Sequence, residues 1–259
     1  MSGPPKAGAV RPAVLTTPKA LAAESRRRLA AAADPKLAER LHAYFKKGDR
    51  VAFYGLKTAT LRAIERELWE RIARRWTLAD AVDYCELMLS ETQLEAKGLG
   101  LLLLARQRRA FEPRLLATAK RWLVEGRSAN WATTDSLASL VVAEVLRRFP
   151  DRIPIVTGWT RSRSLWVRRT AAVALVPLAR RGEALAAAYR VAAALLADGE
   201  DLIHKASGWL LREAGKTDPA RLERFLLEHG AGVPRTTLRY AIERFAPARR
   251  RKLLADTRA

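Results

Sequence analysis

From Thr17 to the C-terminus, apolar residues recur at intervals of three and four, and almost no stretch alternates with the period of two that a half-buried strand requires. Thr17-Pro18, Asp34-Pro35 and Asp218-Pro219 punctuate this pattern. Each pair sets a capping side chain before a proline. The capping oxygen can accept from an orphaned backbone N–H of the first turn, and the proline lacks only an N–H that had no partner there. The spacing predicts helices over 18–32, 35–47, 58–75, 78–89, 91–109, 113–125 and 130–148, then 152–159, 164–181, 184–197, 201–215, 219–229, 235–245 and 247–256. The fold class is therefore all-α, with many short helices joined by tight turns.

Such helices form either a bundle or a repeat array, and period separates the two. Trp131 and Arg169 are 38 residues apart, and Arg169 and Trp209 are 40 apart, close to the roughly 40–47 residues of a two-helix HEAT-like unit. Tyr44 lies 87 residues before Trp131, about two such units. Side chains one repeat apart point into the same surface. The expected architecture is thus a HEAT-like helical repeat solenoid with a concave basic groove, its inner wall carrying Tyr44, Trp131, Asp135, Arg169, Trp209 and Arg212. Residues 17–259 would form this single domain. Residues 1–16, with Gly3, Pro4, Pro5, Gly8 and Pro12 among Lys6 and Arg11, bury too little apolar surface to order and are expected to be a flexible basic arm.

Charge narrows the partner. Lys and Arg total 48 against 27 Asp and Glu, a formal net charge of +21, which calls for a polyanion. Nucleic acid fits first and an anionic membrane surface second. No apolar run approaches the roughly 18 residues of a spanning helix, and no segment pairs a strongly basic face with a purely apolar one. The first residues lack the apolar core of a secretory signal, which points to the cytoplasm, or to the nucleoid within it. Cys85 is the only cysteine, so no internal disulfide forms and a reducing compartment is expected; within an apolar helical pattern it reads as a small buried thiol. His42, His204 and His229 lack metal-ligand spacing, and Gly98-Leu99-Gly100 lies inside a helical pattern, so no metal and no nucleotide cofactor is expected. The pairs and runs Arg26–Arg28, Arg74-Arg75, Arg108-Arg109, Arg147-Arg148 and Arg180-Arg181 fall near helix C-termini, where cations cap carbonyls and complement the dipole.

Three stretches carry the candidate chemistry. In Ser128–Ser136, Trp131 and Asp135 share a helix face at i and i+4, so a π surface sits beside an anion. In so basic a chain, a lone carboxylate there could stabilise a cation; the alternative is a core tryptophan next to a solvated acid. An Asp135 facing bulk solvent on the outer surface, or tied up in an internal ion pair, would overturn the first reading. In Leu165–Thr170, Arg169 is the candidate phosphate contact, and Trp166 continues an apolar pattern and reads as core. In Lys205–Thr217, Gly208 costs a helix interior about 1 kcal/mol relative to Ala, so a neighbouring helix or a ligand must come close. Trp209 and Arg212 then share a face, either toward the groove or over a tight helix contact.

Together these pieces resemble the AlkD-like DNA alkylation repair enzymes, a family of HEAT-like-repeat DNA glycosylases. The matching segments are Ala43-Tyr44-Phe45-Lys46, Gly55-Leu56-Lys57-Thr58 with Arg62, Trp131 with Asp135-Ser136, Leu165-Trp166 with Arg169-Thr170, and Lys205-Ala206-Ser207-Gly208-Trp209 with Leu211-Arg212-Glu213. They keep the family's order from about residue 35 to 245. The resemblance implies a solenoid that holds duplex DNA in its groove and, in base excision repair, hydrolyses the N-glycosidic bond of cationic N3- and N7-alkylated purines such as 3-methyladenine and 7-methylguanine; a groove filled by duplex suits a monomer. It makes Asp135 the catalytic carboxylate, puts Trp131, Trp209 and Tyr44 around the lesion, and gives the DNA backbone to Arg169, Arg212 and Lys205. It also implies that the base need not be flipped into an enclosed pocket. The chain departs from the pattern at Ala132, where many relatives are acidic, at Ala59, where they have proline, and by two extra residues between Lys46 and Phe53. The same charge also suits a noncatalytic HEAT-like-repeat module that binds structured or branched DNA, and, in the absence of DNA affinity, a protein-binding scaffold.

Overall fold

Each of the three proline pairs starts a helix. Thr17 accepts from the Ala20 N–H at 3.2 Å, Asp34 from Leu37 at 3.1 Å and Asp218 from Arg221 at 2.9 Å. The computed structural model describes residues 17–45 and 51–258; the arm expected over 1–16 and Lys46 of the first motif lie outside the described residues. The chain begins with α1 (Pro18–Ala31), α2 (Pro35–His42), α3 (Thr58–Ile72) and α4 (Leu78–Leu89), followed by α5 (Leu94–Arg106) and α6 (Leu115–Val124). A long helix comes next in three parts: α7 (Trp131–Leu137), a π turn (Ala138–Val142) and α8 (Ala143–Arg148). Then follow α9 (Ile153–Thr157), α10 (Leu165–Val173), α11 (Val176–Ala179) and α12 (Leu185–Ala194). The last four are α13 (Asp201–Ala214), α14 (Pro219–His229), α15 (Arg235–Ala241) and α16 (Pro247–Asp256). The described residues form no strand, only an isolated parallel bridge between Ala52 and Gln93, so the fold is all-α.

Several boundaries differ from the sequence expectation by three residues or more, among them the ends of α3 at Ile72, α12 at Ala194 and α15 at Ala241. The helix expected over 35–47 ends at His42, and the one expected over 91–109 begins at Leu94. The helix expected over 164–181 divides into α10 and α11 around Leu175, because Pro177 has no N–H to continue the ladder.

One row of helices runs through the molecule: α3 packs on α5, α5 on α7, α7 on α10, α10 on α13 and α13 on α15. Helices α4, α6, α12 and α14 pack against members of that row. The buried apolar residues form a continuous core from Leu21 to Leu253, with Tyr84, Phe111 and Trp122 its largest fully buried side chains. Cys85 lies inside it, where burial pushes the thiol above its ordinary value and leaves it without nucleophilic character.

The Gly55-Leu56-Lys57-Thr58 motif has a local structural reason. Gly55 adopts φ +82°, and a side chain there would lie 2.1 Å from the Asp34 carbonyl oxygen. Buried Glu95 fixes the same turn by accepting from the N–H groups of Tyr54, Gly55 and Leu56 at 2.8–3.1 Å.

Candidate active site

The site is built on the start of α7. Asn130 caps it: its carbonyl oxygen accepts from the Thr133 N–H at 2.8 Å, while its amide donates to the Thr133 hydroxyl at 3.0 Å. Thr134 donates back to the Ser128 carbonyl at 2.7 Å, and Lys97 ties the preceding loop by donating to the carbonyls of Leu89 and Arg127. Trp131 is thereby held at the first helical position, with Asp135 one turn later. The indole is half-buried, and the Phe45 ring stacks on it at 5.3 Å between centroids and 18° between planes. One Trp131 face is thus already covered from within the protein.

Asp135 is not a lone anion. Arg169 on α10 donates from Nε to Oδ1 at 2.7 Å and from Nη2 to Oδ2 at 2.8 Å, a bidentate pair whose side chains are 6% and 17% exposed for Arg and Asp. The third Arg169 nitrogen, Nη1, donates to the Leu202 carbonyl. This internal ion pair corrects the expectation of an isolated carboxylate. It also corrects the role expected for Arg169, since a guanidinium with all three nitrogens engaged and almost no exposed surface is not free to hold a phosphate. Burial raises the Asp135 carboxyl above its ordinary value, and the two hydrogen bonds and charge of Arg169 oppose that shift. Both carboxylate oxygens accept from N–H donors, so the carboxylate is the ionised form. Two of its roughly four lone-pair positions remain for another partner.

Helix α13 supplies the opposite wall. Lys205, Trp209 and Arg212 project from it. Lys205 pairs with Asp201 at 2.9 Å, which holds the ammonium above its ordinary value. Arg212 bonds to Glu243 and lies 3.5 Å from Glu213. Unlike the buried Arg169 pair, the Lys205–Asp201 pair is exposed, at 38% and 46%, whereas Arg212, 18% exposed, stands between buried Glu213 and exposed Glu243.

All seven residues singled out from sequence converge on one cleft of about 410 Å³: Tyr44, Trp131, Asp135, Arg169, Lys205, Trp209 and Arg212. Two further residues complete it, Leu202 and Tyr240. Tyr240 belongs to α15, and the sequence signal for it was Gly208. A Cβ on Gly208 would lie 2.5 Å from the Tyr240 Cβ and 2.7 Å from the Thr237 carbonyl oxygen, so α15 rides directly on α13 there. Tyr44 is 75% exposed at the mouth of the cleft. Trp166 does not line it and packs against the core. In three of the five arginine runs a side chain caps or pairs: Arg148 donates to the carbonyls of Arg108 and Arg109, while Arg26, Arg28, Arg147 and Arg180 bond to Glu91, Glu67, Glu144 and Glu213.

Among the described residues, no group of three His, Cys, Asp or Glu side chains could hold a metal ion, and no helix is long and apolar enough to cross a membrane.

The family model described as DNA alkylation repair enzyme matches residues 25–245. Among solved structures, the chain is similar to one titled a predicted DNA alkylation repair enzyme from Enterococcus faecalis. The two are 19% identical, the match covers 83% of this chain and 97% of that one, and the TM-score is 0.73, a likeness of fold. No curated protein matches the chain. The family match spans the whole row of helices from α3 to α15 and every residue of the cleft, and the chain belongs to the DNA alkylation repair enzyme family.

Proposed function

We propose that this member of an alkylation-repair family is a DNA glycosylase that releases cationic N3- and N7-alkylated purines, among them 3-methyladenine and 7-methylguanine, from duplex DNA. In this reading the row of helices is a HEAT-like solenoid whose inner surface forms a basic groove for the duplex, bound by a monomer. The observation that carries the proposal is Asp135: an oriented, ionised carboxylate stands in one cleft with Tyr44, Trp131, Trp209 and Tyr240.

The lesion explains why so little machinery suffices. Alkylation at N3 or N7 gives the purine a positive charge, so the base leaves as a neutral molecule without a general acid. As its bond to C1′ breaks, positive charge develops on the deoxyribose, and a carboxylate held beside the sugar stabilises that oxocarbenium-like state and can orient the attacking water. Arg169 is a positioning residue in this account. It fixes the carboxylate by a bidentate contact, so no reorganisation is needed when charge develops. The uncovered aromatic surfaces around the cleft attract the cationic nucleotide, each by about 0.5–2 kcal/mol depending on desolvation. Lys205 sits in an exposed ion pair worth roughly 0.2–1 kcal/mol, weak enough to open and pass its donors to a backbone phosphate, and Arg212, itself mostly buried, can exchange its exposed partner Glu243 for another.

The Asp135–Arg169 pair also favours a second reading, a noncatalytic module that binds structured or branched DNA, because a paired carboxylate exerts a weaker field than a lone one. Methylated duplex separates the two. Asp135→Asn keeps one oxygen for Arg169, so the variant should bind DNA like the parent yet release 7-methylguanine at least about 100-fold more slowly, the scale of losing one preorganised electrostatic contact. Chromatography of the released bases reads this directly. Undiminished release by Asp135→Asn sinks the catalytic role, and no release by the parent protein establishes the binding module.

A further inference from the structure

Arg212 borders two hollows. On one side lies the cleft; on the other lies a groove of about 350 Å³ between the ends of α13 and α15 and the starts of α14 and α16. Lys216, Arg244 and Arg249 line this groove with Arg212, over a floor that includes Leu222 and Phe245. Arg249 belongs to α16, which begins at Pro247, beyond residue 245 where the family match ends. The groove is therefore completed by a helix that the family match does not include. That helix is fastened in place: Leu253 is buried, and Arg235 of α15 donates to the Thr257 hydroxyl at 3.2 Å and the Leu254 carbonyl at 2.9 Å. The Arg249 guanidinium lies over the Phe245 ring, 5.0 Å from its centroid.

A run of exposed arginines is ordinarily a solvated face. Here the cations converge on a concavity and share too few acids. Buried Glu213 accepts from both Lys216, at 2.6 Å, and Arg180, at 2.8 Å. Arg212 Nε, 3.5 Å from the same carboxylate, is buried and finds no hydrogen-bond partner among the described residues. Glu243 and Glu223 bond to Arg212 and Arg249, and exposed Arg244 forms no ion pair among the described residues. A phosphodiester fits this set, because its two free oxygens can take paired donors from a guanidinium, an orphaned Nε included. A duplex also presents its phosphates in a continuous row, so a strand held at Arg212 in the cleft brings further phosphates along the wall that Arg212 shares with the groove.

We propose that this groove seats a backbone phosphate of the strand that runs on from the cleft, so that the DNA track continues past α13 to α16. The inference rests on duplex DNA as the partner and not on the glycosylase chemistry.

Titration of the full-length protein with an unmethylated duplex at several salt concentrations tests the seat. Arg244→Gln and Arg249→Gln should each reduce the slope of log affinity against log salt concentration by about one unit, while Arg244→Lys, which keeps the charge, should hold the parent slope. Arg190→Gln, which removes an exposed cation from α12, away from the groove, should leave the slope unchanged. A unit drop in either groove variant, with an unaltered thermal melt and with Arg190→Gln at the parent slope, supports the proposal. It is overturned if both groove variants keep the parent slope, if Arg190→Gln lowers the slope as much as they do, or if the parent binds no duplex. A parent that shows these slopes but releases no base from methylated duplex refutes the glycosylase reading and leaves the seat standing, whereas base release with unchanged slopes refutes the seat alone.

Discussion

At the scale of single residues, the pairing of Asp135 with Arg169 decides how the site responds to mutation and pH. Removing one member of a buried pair leaves an uncompensated charge, so Arg169→Ala should cost about 3–5 kcal/mol of stability, measured by urea unfolding, while Arg169→Lys should recover part of it. The pH dependence follows from the raised carboxyl. A carboxyl whose folded value lies above its unfolded value binds its proton more readily in the folded state, so its contribution to folding is greatest in acid and is lost as pH rises through the folded value. Base release has the opposite sign because it needs the ionised form. The single-turnover rate should therefore fall on acidification with a midpoint above the ordinary aspartate value of about 3.9, and Arg169→Lys, which loses the bidentate contact, should move that midpoint higher still. A rate independent of pH across the acid limb removes Asp135 from the chemistry. None of this was legible in the sequence. The 38-residue interval between Trp131 and Arg169 gave the expectation that both point into one surface, but only the packing of α7 on α10 turns a phosphate contact into a clamp on the carboxylate.

At the scale of helices, what the sequence revealed was local and what it hid was not. Caps and apolar spacing act within one or two turns, so Thr17, Asp34 and Asp218 announced their helices. The hold of Glu95 on the 54–56 turn joins residues about forty positions apart and had no local signature, whereas the break before α11 lies at Pro177, a local signal that the expectation of one helix over 164–181 passed over. Glycines show the same division. Gly98 and Gly208 look alike in sequence, yet Gly208→Ala should be destabilising, because its methyl would collide with Thr237 and Tyr240 of α15, whereas Gly98→Ala should stabilise by about 0.5–1 kcal/mol. Denaturant unfolding of the two variants, measured side by side, checks the opposite signs. A further helix contact has a pH signature. Arg121 and Trp122 of α6 donate to Glu86 of α4, Arg121 at 2.6 and 3.0 Å and Trp122 at 3.1 Å, and hold its carboxyl well below the ordinary range, at about 2. The stabilisation from this contact is present above the unfolded glutamate value and lost as pH falls from there through about 2. Glu86→Gln should accordingly flatten that part of the acid unfolding curve.

At the scale of the molecule, a net charge of +21 promises strong attraction to DNA without saying which cations touch it. Salt dependence can distinguish them, because each phosphate neutralised on duplex DNA adds about 0.9 to the slope of log affinity against log salt concentration. Lys205 through Asp201, and Arg212 through Glu243, each have one partner that is about half exposed and can be exchanged for a phosphate. Replacing each by Gln should reduce the slope by about one unit, and the double variant by about two. Arg169, with its nitrogens given to Asp135 and Leu202, should behave differently: Arg169→Gln should alter the rate of base release while leaving the salt slope of binding unchanged. Titrations of an unmethylated duplex at several salt concentrations give all four slopes. A drop of one unit for Arg169→Gln would mean that the buried pair opens on DNA and that this arginine holds a phosphate after all. An unchanged slope for Lys205→Gln and Arg212→Gln would move the backbone track away from α13, and with it the expectation that the duplex crosses the cleft between α7 and α15.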